Sequence, residues 1–192
     1  IRLGRQSRST GGVLGRFDGV FFSYQLLSQV KLNLVAGYPV NSAVFEKFDT
    51  DKHFYGLSMD LGTFADYWDF NLFMIRQMAD GLVDREAVGM EVRYFHLNRA
   101  LFALMDYDTS YGELNTMLIS ANMKISKLTT ANMFLDVRRS PILTTSNALQ
   151  GQTVDSLDQL KQSMSEDEIR ALALDRTANS RSLLLGITRE LS

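Results

Sequence analysis

The sequence predicts an all-β fold, an antiparallel up-and-down transmembrane β-barrel of about ten strands that is complete or part of a larger barrel, with a short helical insertion. Three observations predict it: a two-residue alternation of apolar and polar side chains, the length of the alternating segments, and the lengths of their connections. Side chains of a strand point alternately to its two faces, so each segment has one apolar face. We predict a single domain over 1–192, with the insertion at about 140–180.

The alternation is clear in segment 85–95, where Met90 and Val92 lie on one face and Glu91 and Arg93 lie on the other. Runs of this kind, bounded by turn residues, are typical of strands. The candidate strands are 1–8, 12–24, 29–38, 53–62, 67–77, 85–95, 99–107, 111–121, 128–139 and 181–190.

The length of the strands favours a membrane. A tilted strand crosses a bilayer in roughly 9–11 residues, whereas strands of soluble proteins are nearer 5–6 residues. The second, fourth, sixth and eighth connections are short, and the third, fifth and ninth are longer, as in bacterial barrels with short periplasmic turns and longer extracellular loops. The short ones are 25–28, 63–66, 96–98 and 122–127, and the longer ones are 39–52, 78–84 and 140–180. The first and seventh connections are short exceptions on the side of the longer ones.

The connection 140–180 predicts one or two short amphipathic helices. Val154, Leu157 and Leu160 have helical spacing. Ser165 followed by Glu168 forms the pattern of a capping box, with Ile169, Leu172 and Ala173 after it on one helical face. Helices this short need a support, so we expect them to rest on the barrel mouth, in the lumen or on a partner protein.

The two faces of the sheet predict two sets of residues. Aliphatic and aromatic residues on one face are expected to contact lipid: Leu32, Leu34, Leu57, Met59, Phe70, Leu72, Met90, Val92, Met133, Leu135, Leu185 and Ile187. Charged residues at mid-strand positions of the other face are expected to line the lumen and to pair across strands: Lys31, Asp60, Asp69, Glu91, Arg93, Asp136 and Arg138. In a soluble sandwich, the charged row would instead be a solvated outer face.

Tyrosine and tryptophan residues lie near the ends of the predicted strands, where membrane barrels carry aromatic girdles at both interfaces. The alternative is that aromatic residues simply favour strands. The residues are Tyr24, Tyr38, Tyr55, Tyr67, Trp68, Tyr94, Tyr107 and Tyr111.

Composition excludes several classes of protein. The net charge is −2, with acids and bases interspersed, so no surface for nucleic acid is predicted. The chain has no cysteine, which removes disulfides and thiolate chemistry. No run approaches the roughly 18 apolar residues that a spanning helix needs. The sequence starts at Ile1 without a leader and ends without a terminal aromatic residue, so we expect it to be a piece of a longer protein.

Motifs for catalysis are weak, so an enzyme is not expected, and neither a cofactor nor a metal is predicted. The two histidines, His53 and His96, fall at opposite ends of the predicted strands, and His53 near Asp49 and Asp51 is best interpreted as a loop histidine beside solvated acids. The run around Asp106 and Asp108 is rich in oxygen ligands but lacks the glycine and closing glutamate of a calcium loop.

Two segments resemble known membrane barrels. The residues from Arg2 to Gln6, followed by 11–19, are similar to the opening strands of porin-like barrels. The segment 173–178 precedes the last predicted strand. Together with the alternation and the connection lengths, it resembles large barrel domains of proteobacterial outer-membrane proteins. Some of these follow tetratricopeptide repeats and take part in export, so the resemblance implies a pore or an export conduit.

Three functions remain open from the sequence. The first is a pore or export conduit in the bacterial outer membrane, with lipid as its surroundings and an envelope protein or a second copy as a candidate partner. The second is a structural barrel with a plugged lumen that anchors or docks an envelope machine. The third is a soluble β-sandwich or lipocalin-like binding protein. An open and a plugged lumen have the same alternation, so the sequence does not separate the first two.

Overall fold

The computed structural model describes residues 1–13, 15–40 and 50–190, which form one antiparallel sheet in which each strand pairs with the next along the chain. The strands are β1 (Arg2–Arg8), β2 (Gly15–Leu27), β3 (Val30–Pro39), β4 (Lys52–Phe64), β5 (Trp68–Ala79), β6 (Leu82–His96), β7 (Arg99–Asp108), β8 (Glu113–Lys124), β9 (Thr129–Ser140) and β10 (Ala178–Arg189). The predicted all-β class and the up-and-down order are confirmed.

The sheet is open. Among the described strands, β1 pairs with β2 and β10 pairs with β9, and no pairing joins β1 to β10. The two edge strands, β1 and β10, therefore each carry a free edge of backbone N–H and C=O groups. The closed transmembrane barrel stays a prediction.

Two local features differ from the sequence prediction. The second strand was expected over 12–24 but begins at Gly15, because Gly11 and Gly12 adopt positive φ angles of +65° and +76° and turn the chain inward. The fifth connection was expected to be long over 78–84, and that expectation is wrong.

Instead, β5 and β6 are joined by the two-residue turn Asp80–Gly81, whose φ angles are +50° and +78°. Left-handed conformations at both central residues are typical of a tight hairpin turn, for which Asp-Gly is a favoured pair. Of the third connection, residues 41–49, which include Asp49, lie outside the described residues.

Connections at the two ends of the strands differ. We call the end with the connections β2–β3, β4–β5, β6–β7 and β8–β9 the turn end, and the opposite end the loop end. Connections at the turn end are short throughout, from Ser28–Gln29 to 125–128. The loop end carries the long connection 141–177 between β9 and β10 and the connection 40–51 between β3 and β4.

On β3 to β6 the two faces of the sheet differ in burial. On β3, Leu34 is 51% exposed whereas its neighbours Asn33 and Val35 are buried. We call the face that bears Asn33 and Val35 the inner face, and the face that bears Leu34 the outer face. The strand registers assign all remaining strand residues to the inner or the outer face.

Apolar side chains fill the inner face near the loop end. Phe17 of β2 and Phe54 of β4 meet edge to face, with ring centroids 5.1 Å apart. The cluster consists of Val13, Phe17, Val35, Phe54, Ile75 and Ala87. Because these residues come from β2 to β6 and from the loop before β2, the sheet must curl around them.

The connection between β9 and β10 is helical in part. It holds a 3₁₀ turn (Thr145–Leu149) and the helices α1 (Leu157–Leu160) and α2 (Glu166–Asp175). The capping box predicted for Ser165 and Glu168 is confirmed, since both of its hydrogen bonds are present. No helix among the described residues is long and apolar enough to cross a membrane.

This insertion packs on the loop end of the sheet. The apolar sides of α1 and α2 bury Leu157, Leu160, Ile169 and Ala173 against Ala79 and Leu82, which flank the β5–β6 turn. Asp80 in that turn accepts a hydrogen bond from the Leu157 amide at 2.6 Å and its carbonyl accepts one from Lys161 at 2.7 Å. The helices thus pack on the loop end of the sheet at the β5–β6 turn.

Candidate functional site

The residues predicted to line a lumen all lie on the inner face. Cross-strand neighbours there run from Lys31 through Asp60 and Asn71 to Glu91 on four successive strands, and Asp69 lies opposite Arg93. On β9, the inner-face members are Asp136 and Arg138. Whether this face lines a water-filled lumen stays a prediction.

A polar cavity of about 690 Å³ occupies the turn end of the inner face. It is bounded by side chains from β1 to β6, which shows how far the sheet curls. Of the predicted lumen set, its lining includes Lys31, Asp60, Asp69, Glu91 and Arg93. Asp136 and Arg138 lie outside this lining, on the other half of the sheet.

Asp60 is the centre of a hydrogen-bond network across three strands. Its carboxylate accepts bonds from the amides of Asn33 at 2.9 Å and Asn71 at 2.6 Å. The ammonium group of Lys31 lies 3.1 Å from the same carboxylate. A charge in a confined space is stabilised by donors of this kind, so Asp60 can remain an anion beside the cavity.

Two ion pairs run along a strand rather than across strands. Arg93 contacts Glu91 at 2.9 Å, and Arg138 contacts Asp136, each within one strand. The expected cross-strand pairing is found for Lys31 and Asp60, while Glu91 with Arg93 and Asp136 with Arg138 pair along their own strands. Residues two apart share a face, at a distance that an arginine side chain can span.

The inner face of β7 to β10 is more apolar than expected. Beside the polar residues Ser120, Asp136 and Ser182, its middle positions carry two phenylalanines and three leucines. They are Phe102, Leu104, Leu118, Phe134 and Leu184.

A buried polar cluster towards the loop end was missed by the sequence analysis. Arg85, with a side chain 3% exposed, forms an ion pair with Asp106 of β7. A second guanidinium nitrogen of Arg85 donates to the carbonyl oxygen of Gly12 at 2.9 Å. The alternation of β6 does place Arg85 inward, but its contact with a loop 73 residues earlier in the chain has no local signal.

The oxygen-rich run at the end of β7 builds a turn. The Asp108 carboxylate accepts hydrogen bonds from the amides of Ser110 and Tyr111, each at 2.9 Å, which is the geometry of an Asx turn. Within residues 1–13, 15–40 and 50–190, no group of three or more His, Cys, Asp or Glu side chains is placed to hold a metal ion.

Tyr111 joins this turn to the insertion. Its hydroxyl lies 2.8 Å from the Thr145 hydroxyl, which itself donates to the carbonyl of Val83 at 2.6 Å, so Tyr111 donates and Thr145 accepts. The Arg170 guanidinium lies 4.3 Å from the centre of the Tyr111 ring. Burial raises the pKa of the Tyr111 phenol above its usual value.

The residues predicted to contact lipid all lie on the outer face. Several of them are strongly exposed, and Ile187 is 75% exposed. Contact with lipid itself stays a prediction. The set is Leu32 and Leu34 on β3, Leu57 and Met59 on β4, Phe70 and Leu72 on β5, Met90 and Val92 on β6, Met133 and Leu135 on β9, and Leu185 and Ile187 on β10.

Aromatic residues border this outer face at both ends. At the turn end, Trp68 and Tyr94 pack with ring centroids 4.5 Å apart, and Tyr67 packs against His96 at 4.0 Å. Tyr24 lies at the same end, and Tyr38, Tyr55 and Tyr107 lie on the outer face towards the loop end. Tyr111 does not belong to either row, because it packs under the insertion.

The two histidines lie at opposite ends of the strands, as the sequence predicted. His53 is near the start of β4 at the loop end, and His96 ends β6 at the turn end. The side chains therefore do not form a common site.

Comparison with protein-family models, with curated proteins and with solved structures gives no match to this chain. Its function must therefore be inferred from its own geometry, and the resemblance to porin-like barrels stays a prediction.

Proposed function

We propose that this chain forms the membrane-spanning wall, or part of the wall, of a bacterial outer-membrane β-barrel that acts as a pore or export conduit. One observation carries the proposal: the outer face is an exposed aliphatic band between two rows of Tyr and Trp, while the inner face carries paired charges around a cavity. Membrane barrels have this arrangement of an apolar band between aromatic girdles, with a polar interior.

The height of the outer band fits a bilayer. On β5 the outer-face residues run from Trp68 at the turn end through Leu72 to Arg76 near the loop end. Eight residue steps at about 3.4 Å each give about 27 Å along the strand. A strand tilt of about 40° reduces this to about 20 Å along the membrane normal, close to the roughly 25 Å apolar band of outer-membrane barrels.

The position of the outer-face ion pairs agrees with this height. Arg5 and Asp18 pair at 2.8 Å, and Arg76 and Glu86 pair at 3.4 Å, all towards the loop end. In the proposed orientation these charges lie at the membrane interface, where a charged side chain costs far less than at the bilayer midplane.

A bilayer also requires partners for the free edges of the sheet. Unpaired backbone groups are costly in hydrocarbon, so β1 and β10 must pair with each other or with strands of another copy or segment. With an even number of strands, β1 and β10 run in opposite directions. Direct pairing between them would therefore be antiparallel, like every other pair in the sheet.

The second candidate is a structural barrel with a plugged interior. It is favoured by the apolar cluster around Phe17 and Phe54 and by the insertion, which both occupy the loop end. Ion conductance in a planar lipid bilayer distinguishes the two: a conduit conducts, and a permanently plugged barrel does not.

Spin labels test the membrane assignment. Labels at Leu34, Leu72 and Met90 of the outer face should be accessible to dissolved oxygen and shielded from a water-soluble nickel chelate. Labels at Lys31 and Asp69 of the inner face should show the reverse. If the outer-face labels are accessible to the nickel chelate, the sheet is not in lipid, and a soluble β-sandwich or lipocalin-like protein takes the place of the proposal.

An arginine substitution tests the same assignment energetically. Leu72→Arg places a charge near the middle of the outer band and should lower the free energy of unfolding in lipid by about 2–4 kcal/mol. Leu97→Arg is the matched control, because Leu97 lies in the β6–β7 turn and is 91% exposed. Equal effects of the two substitutions would contradict a lipid-facing band.

A further inference from the structure

The polar cavity of about 690 Å³ at the turn end has a surplus of positive charge. Its charged lining residues, all within the described part of the chain, form two ion pairs and leave three groups over. The pairs are Lys31 with Asp60 and Arg93 with Glu91, and the three others are Arg2, Arg8 and Asp69. The lining thus carries four cations against three anions. Its volume lies within the range of roughly 300–1,000 Å³ that is typical of ligand sites.

The two arginines of this surplus lie close together. Arg2 and Arg8 are on the inner face of β1, the face that also bears Phe21 of β2. The Arg8 guanidinium lies 4.4 Å from the centre of the Phe21 ring. Phe21 is in turn the cross-strand partner of Arg2. Both arginines are therefore neighbours of Phe21, on one wall of the cavity.

Neither Arg2 nor Arg8 forms an ion pair with an acidic side chain among residues 1–13, 15–40 and 50–190. Arg8 donates from Nε to the Thr10 carbonyl at 3.0 Å, which leaves its two terminal nitrogens for another group. Two guanidinium groups repel each other, and a partly buried pair is screened less than a pair in bulk water. An anion bound beside both groups offsets this repulsion.

The chemistry of the guanidinium group indicates which anion fits. Its planar fork of N–H groups binds two oxygens of a carboxylate or a phosphate at once, with charge-assisted hydrogen bonds. Chloride is a single atom and offers no second acceptor to the fork. The site therefore matches oxyanions better than simple halides.

We propose that Arg2 and Arg8 form a binding site for the anionic group of a small solute, a carboxylate or a phosphate, inside the turn-end cavity. The inference rests on the proposed function, because it names the class of solute that the conduit carries. Binding itself is measurable without a membrane, so the site and the conduit can be tested separately.

Isothermal titration calorimetry of the protein in detergent micelles tests the site. Inorganic phosphate and succinate are the probes, titrated in a constant excess of sodium chloride, and they distinguish the two kinds of anionic group. We expect the wild type to bind at least one of them, and Arg2→Gln to weaken that binding roughly tenfold, the effect of one lost charged hydrogen bond. Arg5→Gln is the matched control and should bind like the wild type, because Arg5 lies on the outer face of the same strand and pairs with Asp18 at 2.8 Å.

Conductance tests the same site during transport. In a planar bilayer with chloride as the current carrier, the anion that binds in the titration should occupy the site and lower the chloride current of the wild type. The block should be lost in Arg2→Gln and kept in Arg5→Gln. Arg2→Lys keeps the charge but lacks the planar fork, so its block should be weaker than that of the wild type.

The outcomes separate the anion site from the proposed function. If the spin labels on the outer face are exposed to water, the proposed function fails, whatever the titration shows. If the wild type binds neither anion, or if Arg2→Gln and Arg5→Gln bind equally well, the site is overturned. Binding without a block in a conducting protein would overturn its part in transport. A loss of binding and of block in Arg2→Gln that is absent from Arg5→Gln supports the proposal.

Discussion

Three carboxylates among the described residues show how the hydrogen-bond donors around such a group set its role. Asp60 is held by two asparagine amides and a lysine beside a cavity, Asp108 accepts two backbone amides in a turn, and Glu168 caps a helix. The residue type alone does not distinguish these roles. The neighbours that the fold supplies decide whether a carboxylate belongs to the interior, to a turn or to a helix end.

The cap of α2 predicts a dependence on pH. The Glu168 carboxylate accepts bonds from the Ser165 amide and hydroxyl, each at 2.8 Å, and these bonds lower the pKa of Glu168 below its ordinary value of 4.5. A carboxyl with a lowered pKa stabilises the folded state above its unfolded pKa, and this contribution is lost as the pH falls through the folded pKa. We therefore expect the first turn of α2 to fray below pH 4.5.

Amide hydrogen exchange in α2, corrected for its intrinsic pH dependence, measures this effect. Protection should fall on acidification in the wild type and in Glu166→Gln, the matched control at the start of the same helix. Glu168→Gln should have less protection at neutral pH and little further loss in acid. An unchanged loss of protection in Glu168→Gln would show that another group carries the pH dependence.

At the scale of elements, patterns within one segment could be predicted and contacts between distant segments could not. The period of two located the strands, and the spacing of Ser165 and Glu168 located the start of α2, because both signals are local. The inward course of the loop between β1 and β2 depends on Arg85, Ser58 and Phe73, which are far away in the chain. The tight β5–β6 turn is a different case, since the pair Asp80–Gly81 is itself a local signal for a two-residue hairpin turn.

The insertion shows how an element too short to be stable alone gains its order. Helices of the length of α1 and α2 are marginal in water, and burial of their apolar sides on Ala79 and Leu82 supplies the stability. Ile169 is fully buried there. Truncation of a fully buried isoleucine to alanine typically costs about 2–5 kcal/mol.

We therefore expect Ile169→Ala to destabilise the insertion by an amount in that range while the strand pairing persists. Urea dependence of amide exchange in α2, compared with that in β6, measures the two parts separately. Gln162→Ala is the control, because Gln162 is exposed between the helices and should change little. A uniform loss of protection across the sheet would show instead that the insertion and the strands unfold as one unit.

At the scale of the whole molecule, the sheet combines two surfaces that need different surroundings. The outer face exposes aliphatic side chains on most strands, and the inner face of β3 to β6 holds charges in pairs. Water satisfies only the second surface, and hydrocarbon satisfies only the first. A bilayer around a hydrated interior supplies both, provided that the edges of β1 and β10 are paired.

Charge in that interior predicts ion selectivity. Glu91 and Arg93 pair beside the turn-end cavity, so Glu91→Gln leaves an unopposed cation and should shift selectivity towards anions, because fixed charge enriches its counter-ions. Arg93→Gln should shift it towards cations, and the double variant should return near the wild type. Arg76→Gln and Glu86→Gln are the controls, since this pair lies on the outer face and should shift nothing. Reversal potentials across a salt gradient measure each variant, and equal reversal potentials in conducting proteins would place Glu91 and Arg93 outside the ion path.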